Sequence, residues 1–182
     1  MVAIQLPLDL IERVARALKK GGRREVGGML MGEHLGEGWF RIADLSVQTS
    51  RGGAACFVRD PREHKAFIKD FFERTGHDFA RFNYLGEWHS HPNHLPLPSD
   101  TDRDSMRRIV ENEGNSPFFA ILIVFRMDGG RVAMNATAYR RNAAPEEVDL
   151  IIEGGEATDA SFLSRVKRKV ARMLGLEKST TS

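Results

Sequence analysis

The chain has 182 residues, enough for one domain with a full hydrophobic core and too few for two ordinary ones. Apolar residues make up 41% and charged residues 29%, which excludes disordered and fibrous classes, and a formal charge of +2 gives no whole-molecule field suited to nucleic acid. Cys56 is the only cysteine, excluding an intramolecular disulfide and a four-thiolate metal site and fitting a reducing compartment. The longest apolar run, Phe118 to Phe125, is far short of the roughly 20 residues that span a bilayer. The N-terminus carries no charged-then-apolar export signal, so a cytoplasmic protein is expected.

Leu10, Ile11, Val14, Ala15 and Leu18 recur at helical spacing and Gly21-Gly22 follow as a stop, so residues 8–20 read as an amphipathic helix. Val26 to His34 and Trp39 to Gln48 read as strands, joined into a hairpin by Leu35-Gly36-Glu37-Gly38. A helix is expected from Pro61 to Arg74, with Asp60 as N-cap, Pro61 at the first position, Glu63 closing a capping box and Gly76 ending it. Asn83 to His91 reads as a weaker strand, and Phe118 to Arg126, apolar nearly throughout, as the central one. Between them Ser99 to about Asn112 reads as a helix, and Asp128-Gly129-Gly130 turns the chain into a hairpin with Arg131 to Tyr139. Strands with interspersed helices imply an α/β or α+β fold on a mostly antiparallel or mixed sheet.

Residues 1–153 are read as the domain. After one more short apolar run, Val148 to Ile152, Gly154-Gly155 open a separate tail, 154–182. There Phe162, Leu163, Val166, Val170, Met173 and Leu174 form an apolar stripe among Arg165, Lys167, Arg168, Lys169 and Arg172. Such a basic amphipathic helix can lie on a membrane, fit a partner's groove or pack on its own domain, and residues 179–182 are expected to fray.

The chemistry is concentrated in Glu87-Trp88-His89-Ser90-His91-Pro92 and, past a proline-rich loop, Ser99-Asp100-Thr101-Asp102. On a strand, the two-residue period turns His89 and His91 to one side and Ser90 to the other, so two nitrogen ligands converge. Asp102, one helical turn beyond Ser99, faces the same way as Ser99 and offers an oxygen. Two histidines and a carboxylate leave the fourth tetrahedral position of zinc for water, the pattern of a catalytic rather than a structural site. A water so placed needs a base, and the candidate is Glu25, at the head of Glu25-Val26-Gly27-Gly28-Met29-Leu30-Met31-Gly32, whose glycines admit a neighbouring chain.

A glutamate before a G-x-L-x-G run, then H-S-H-P, then past seven residues S-x-x-D, resembles the JAMM motif of MPN-domain metallopeptidases, over most of residues 5–140. The resemblance implies that His89, His91 and Asp102 ligate zinc, that Glu25 is the general acid and base, and that Ser99 helps stabilise the oxyanion. It also implies a cytidine-deaminase-like core, a curved mixed sheet flanked by helices. Compact size and the Gly-Glu-Trp-His-Ser-His-Pro context resemble bacterial members, which often accompany adenylating and conjugating enzymes of ubiquitin-like systems, antiphage islands included. The implied substrate is a ubiquitin-like protein or its conjugates, with those enzymes as partners. The loop between His91 and Ser99 lacks the long insertion that gives eukaryotic relatives their chain-linkage selectivity.

Each residue also has a plainer reading. A lone H-x-H is seldom a metal site, Ser99 with Asp102 is a good helix start in its own right, and Glu25 alone reads as a solvated strand-end charge; the joint match favours the site. His94 would close the metal shell as a fourth ligand and is read as solvent-facing or substrate-contacting. Glu87 falls on the histidine side of its strand, where it either hydrogen-bonds a ligand imidazole or serves the fold. Cys56 reads as a small buried residue, and His34, His64 and His77 carry no pattern. Rival functions are release of an amino acid from a sulfur-carrier protein and a non-catalytic MPN scaffold. A zinc deaminase is excluded because one cysteine cannot supply a P-C-x-x-C ligand pair.

Overall fold

The computed structural model describes residues 2–48, 61–112 and 117–153. Asp60, Cys56 and the tail assigned to 154–182 lie outside them, as does the side chain of Glu63. The chain opens with a strand that the sequence reading missed, β1 (Ala3–Pro7). Pro7, held at φ −61° and ψ 142°, then turns it directly into α1 (Leu8–Gly21), because the pyrrolidine ring suits the position before a helix. Asp9 in the first turn and Lys19 and Lys20 in the last oppose the helix dipole. Leu10, Ile11, Val14, Ala17 and Leu18 bury one face.

β2 (Gly27–Gly36) and β3 (Trp39–Leu45) form the expected hairpin, and α2 spans Pro61–Arg74. Asp44 of β3 ties both helices down, accepting from Arg13 of α1 at 2.8 Å and from Arg74 of α2 at 2.7 Å. Then come β4 (Phe82–Ser90), α3 (Asp100–Glu111), β5 (Phe119–Asp128), β6 (Arg131–Arg140), β7 (Glu146–Glu147) and β8 (Asp149–Glu153). Together the strands make one curved sheet in the order β7-β6-β5-β4-β2-β3-β1-β8. It is mixed: β1 with β3 and β4 with β5 are parallel, while β2 with β3, β2 with β4, and β5 with β6 are antiparallel. The middle of the sheet is therefore β4 and β2 rather than β5. Strand-centre position follows from pairing on both edges, which apolar composition does not reveal.

β5 is apolar from Phe119 to Phe125 because both its faces are covered there. Ile121, Ile123 and Phe125 face a core shared with α1 and Trp88, whereas Ala120, Leu122 and Val124 face a second one with Met106 and Val110 of α3 and Tyr139. Burying each large apolar side chain contributes about 1.5–3 kcal/mol. β4 approaches β5 so closely that a Cβ on Gly86 would lie 1.9 Å from the carbonyl oxygen of Ile121, and its φ of 158° also suits glycine. Among the described residues no helix is long and apolar enough to cross a membrane.

Candidate metal centre

The end of β4 sets the first two side chains. Trp88 and Ser90 turn toward the α1 face and His89 and His91 toward the α3 face, so the two imidazoles sit together, Nε2 to Nε2 at 3.1 Å. Asp102 reaches them from the first turn of α3. That turn is fixed by a capping box in which Ser99 Oγ accepts from the Asp102 amide at 3.2 Å and Asp102 Oδ2 accepts from the Ser99 amide at 2.7 Å. Asp102 Oδ2 lies 3.4 Å from His89 Nε2 and 3.5 Å from His91 Nε2. The cap and the convergence on the imidazoles thus use the same carboxylate, so the capping role of Asp102 does not compete with its approach to the histidines.

Three donor atoms with edges of 3.1, 3.4 and 3.5 Å match one face of a tetrahedron. An ion with bonds of about 2.0–2.1 Å has its ligand atoms about 3.3–3.4 Å apart. His91 Nδ1 donates to the carbonyl of Leu95 at 3.1 Å, so Nε2 is the nitrogen turned to the centre of the triangle, free to bind a metal ion whenever the ring is neutral. Burial pushes the Asp102 carboxyl up, but hydrogen bonds with His89, His91 and Ser99 outweigh it and hold its pKa well below the usual carboxylate range. Two imidazole nitrogens and an ionised carboxylate oxygen converging on one point form a site for a cation, whether a shared proton or a metal ion. His89, His91 and Asp102 are the group of potential ligands found among the described residues.

Glu25 is brought to this centre by pairing rather than by sequence proximity. Gly27 of β2 lies opposite His89, so continuing the antiparallel register sets Glu25 opposite His91, and alternation sends its side chain to the histidine face. Ser90 holds the approach: its hydroxyl accepts from the Val26 amide at 3.0 Å and its own amide donates to the Val26 carbonyl at 2.8 Å. Glu25 is 7% exposed. Burial raises its pKa, with Asp102 adding to the rise and His89, His91 and His94 opposing it. A carboxylate held up in this way is a better proton acceptor than one in water.

Ser99 is exposed and its hydroxyl also donates to Asp102 Oδ2 at 2.7 Å. His94 is exposed and its ring is stacked edge-on to His91 at 6.4 Å, outside the donor triangle. Glu87 is half-buried on β4 two residues before His89. Sequence reasoning missed Ser90 and Leu95, which hold the backbone beside Glu25 and the His91 ring. Only the serine within H-S-H could have hinted at this.

It also missed a third buried histidine, after His89 and His91. His64 of α2, 2% exposed, stands between Ser46 Oγ at 2.9 Å and Gln48 Oε1 at 3.0 Å. Ser46 Oγ accepts from the Met29 amide and the Ser46 carbonyl accepts from Trp88 Nε1, both at 2.8 Å. A Cβ on Gly28 would sit 2.0 Å from that carbonyl, which explains the glycine.

Residues 7–147 match the profile of a family described as prokaryotic homologs of the JAB domain. A protein named CD-NTase/cGAS isopeptidase from Vibrio cholerae is 38% identical over 107 residues, 57% of this chain and 64% of that one. The chain therefore spans just under two thirds of that relative's length. A protein of the same name from Enterobacter hormaechei is 28% identical over 149 residues, 80% of this chain and 79% of that one. A solved structure from Desulfitobacterium hafniense, at 17% identity, superposes with a TM-score of 0.64 over 85% of this chain and 96% of that one; its likeness is one of fold.

Proposed function

The chain belongs to the family of prokaryotic homologs of the JAB domain, and from that premise we propose that it is a zinc-dependent isopeptidase. It hydrolyses the amide that joins the C-terminal tail of one protein to an amine of another. The observation that carries this reading is the triangle of His89, His91 and Asp102 donor atoms, with the Glu25 carboxyl buried on the same face of the sheet. Two nitrogens and one oxygen suit zinc and leave one tetrahedral position open.

Zinc held by these residues supplies Lewis acidity, polarising a carbonyl and lowering the pKa of water from about 15.7 toward 7. Glu25 accepts the proton released by the attacking water and hands it to the nitrogen of the leaving amine, so a single carboxylate serves as base and then acid. Ser90 holds the Glu25 backbone against β4 while this happens. Ser99 donates to the oxyanion, for which its hydroxyl turns away from Asp102; loss of such a donor costs other enzymes about 100- to 1,000-fold in rate. No covalent intermediate is required.

The tail is extended and ends in small residues, passing over Gly27, which presents no side chain to it on the histidine face. A ubiquitin-like protein is the class implied by the motif, and the relatives' name, CD-NTase/cGAS isopeptidase, adds a CD-NTase as a candidate substrate. Adenylating and conjugating enzymes of an antiphage system would make the bond that this enzyme cleaves, in the cytoplasm.

The test uses a panel of fusions in which ubiquitin-like proteins or CD-NTases supply the tail ahead of green fluorescent protein. Bound zinc and cleavage are measured for wild type, Glu25→Ala and His89→Ala. Wild type is expected to bind one zinc and cleave; Glu25→Ala to keep zinc and lose cleavage; His89→Ala to lose both. Cleavage by Glu25→Ala at the wild-type rate would remove the base from the mechanism.

A further inference from the structure

A pocket of about 390 Å³ lies against the sheet face that carries the histidines, lined among others by Pro98, Arg103, Arg107, Asn135, Thr137 and Glu147. Its position relative to the metal centre follows from register. Gly27 pairs with His89, His89 with Val124 and Val124 with Asn135, so one rung crosses four strands and Asn135 stands two strands from His89, about 10 Å. The pocket also adjoins the centre along the chain, since Pro98 precedes Ser99 and Arg103 follows Asp102.

The two flanks of His89 on this rung differ. On one side is Gly27, with no side chain, and beyond His91 the Glu25 carboxyl. On the other is the pocket, with two guanidinium groups one helical turn apart on α3. Like charges at that spacing repel, and their partners hold them loosely. Arg103 pairs with Asp100 at 2.9 Å and Arg107 with Asp104 at 3.9 Å, with all four side chains at least 45% exposed; exposed pairs of this kind are readily exchanged. Glu147, the acid in the lining, accepts from Asn135 Nδ2 at 3.2 Å and is outnumbered by the two arginines. A tail of small residues fits the glycine flank, which leaves the arginine flank to whatever lies beyond the scissile nitrogen.

Resting on the isopeptidase reading, we propose that this pocket is the leaving-side subsite and that Arg103 and Arg107 select an acidic side chain next to the scissile amide in the released protein. The carboxylate displaces Asp100 and Asp104 from the guanidiniums and accepts paired hydrogen bonds from them. The subsite therefore chooses among target proteins, while the glycine flank chooses the tail.

The test takes the fusion from the panel above that wild type cleaves fastest and remakes it with Asp-Asp, Ala-Ala or Lys-Lys directly after the scissile amide. The expected kcat/KM for Asp-Asp exceeds that for Lys-Lys by about tenfold, and the ratio shrinks toward one in 0.5 M salt because the site is half-exposed. Arg103→Glu with Arg107→Glu, checked for bound zinc and an unchanged melting profile, is expected to invert the order. Equal rates on the three fusions by wild type, or a preference untouched by salt, overturn the subsite even if the charge-reversed variant does not fold. An order that persists in the folded variant does the same. If wild type cleaves no fusion in the panel, the isopeptidase reading falls and this subsite with it.

Discussion

Two buried histidine clusters flank β2, and they are opposite in kind. Around His64 the contacts with Ser46 and Gln48 match donor to acceptor. The Met29 amide donates to Ser46 Oγ, whose own proton is left for His64 Nδ1, and His64 Nε2 donates to Gln48 Oε1. Around His89 and His91 the pattern fails to close. His91 Nδ1 is committed to Leu95, and its Nε2 faces an imidazole nitrogen and an ionised carboxylate; burial opposes protonation, but the contacts with Asp102 and Leu95 outweigh it and raise the His91 pKa. Burial alone does not separate the two, since His64, His89 and His91 are 2%, 6% and 7% exposed. What separates them is charge: a chain of neutral partners holds a fold together, whereas two imidazoles converging on one ionised carboxylate call for a cation among them.

Removing that cation is the strongest way to break the comparison. Chelation, or His89→Ala, is expected to abolish cleavage and to lower the melting temperature, since an ion at 1,000 times its dissociation constant adds about 4.1 kcal/mol to stability. Thermal melts with and without chelator, beside metal analysis, give the answer. An unchanged melt together with full activity would make the triangle as inert as the His64 chain.

Ser90 sharpens the comparison next, because it belongs to the cluster proposed to react without touching its triangle. Ser90→Ala removes the hydroxyl that accepts from the Val26 amide and frees the residue before it, Glu25. A misplacement near 1 Å costs about 100-fold in rate. The expected result is a kcat lowered about 10- to 100-fold with KM and bound zinc unchanged, and recovery in Ser90→Thr. Loss of zinc in Ser90→Ala would show that the residue holds the strand rather than the base.

The closed cluster predicts the converse. His64→Ala leaves Ser46 and Gln48 without their shared partner and opens a cavity at a 2% exposed position. Unfolding stability is expected to fall by about 2–4 kcal/mol in denaturant titrations, with zinc binding intact. A variant as stable as wild type would show that the chain can be broken at no cost.

The sequence carried one of these clusters and not the other, for a physical reason. His89, His91, Ser99 and Asp102 lie within fourteen residues, so strand alternation and one helical turn bring them together locally, and the bounds of α2, α3 and both hairpins follow from caps, glycines and periodicity. Glu25 required a family motif, because only the β2–β4 register brings it across 64 positions of chain. His64 meets Ser46 and Gln48 through packing of α2 on the sheet, and no spacing rule announces that. β1 was missed for a similar cause. Its five residues are too few for a period, and its place is settled by parallel pairing with β3.

Tyr139 lies between the two kinds of cluster and gives the smallest effect. It is 1% exposed, its hydroxyl has no hydrogen-bond partner among the described residues, and burial pushes the phenol up to about 12. It packs with Met106 and Val110 beneath α3, so the ring contributes to the core while the hydroxyl has left water without compensation. Desolvating such a group costs about 1–3 kcal/mol. Tyr139→Phe keeps the ring and removes that cost, so stability is expected to hold or to rise by up to about 1 kcal/mol, read as a higher denaturant midpoint at constant slope. Asp102, Arg103 and Arg107 all act on the phenol, and cleavage assays decide whether it acts back on them. Unchanged kcat assigns Tyr139 to the core, whereas a fall in kcat with stability retained assigns the hydroxyl to the metal side of the sheet.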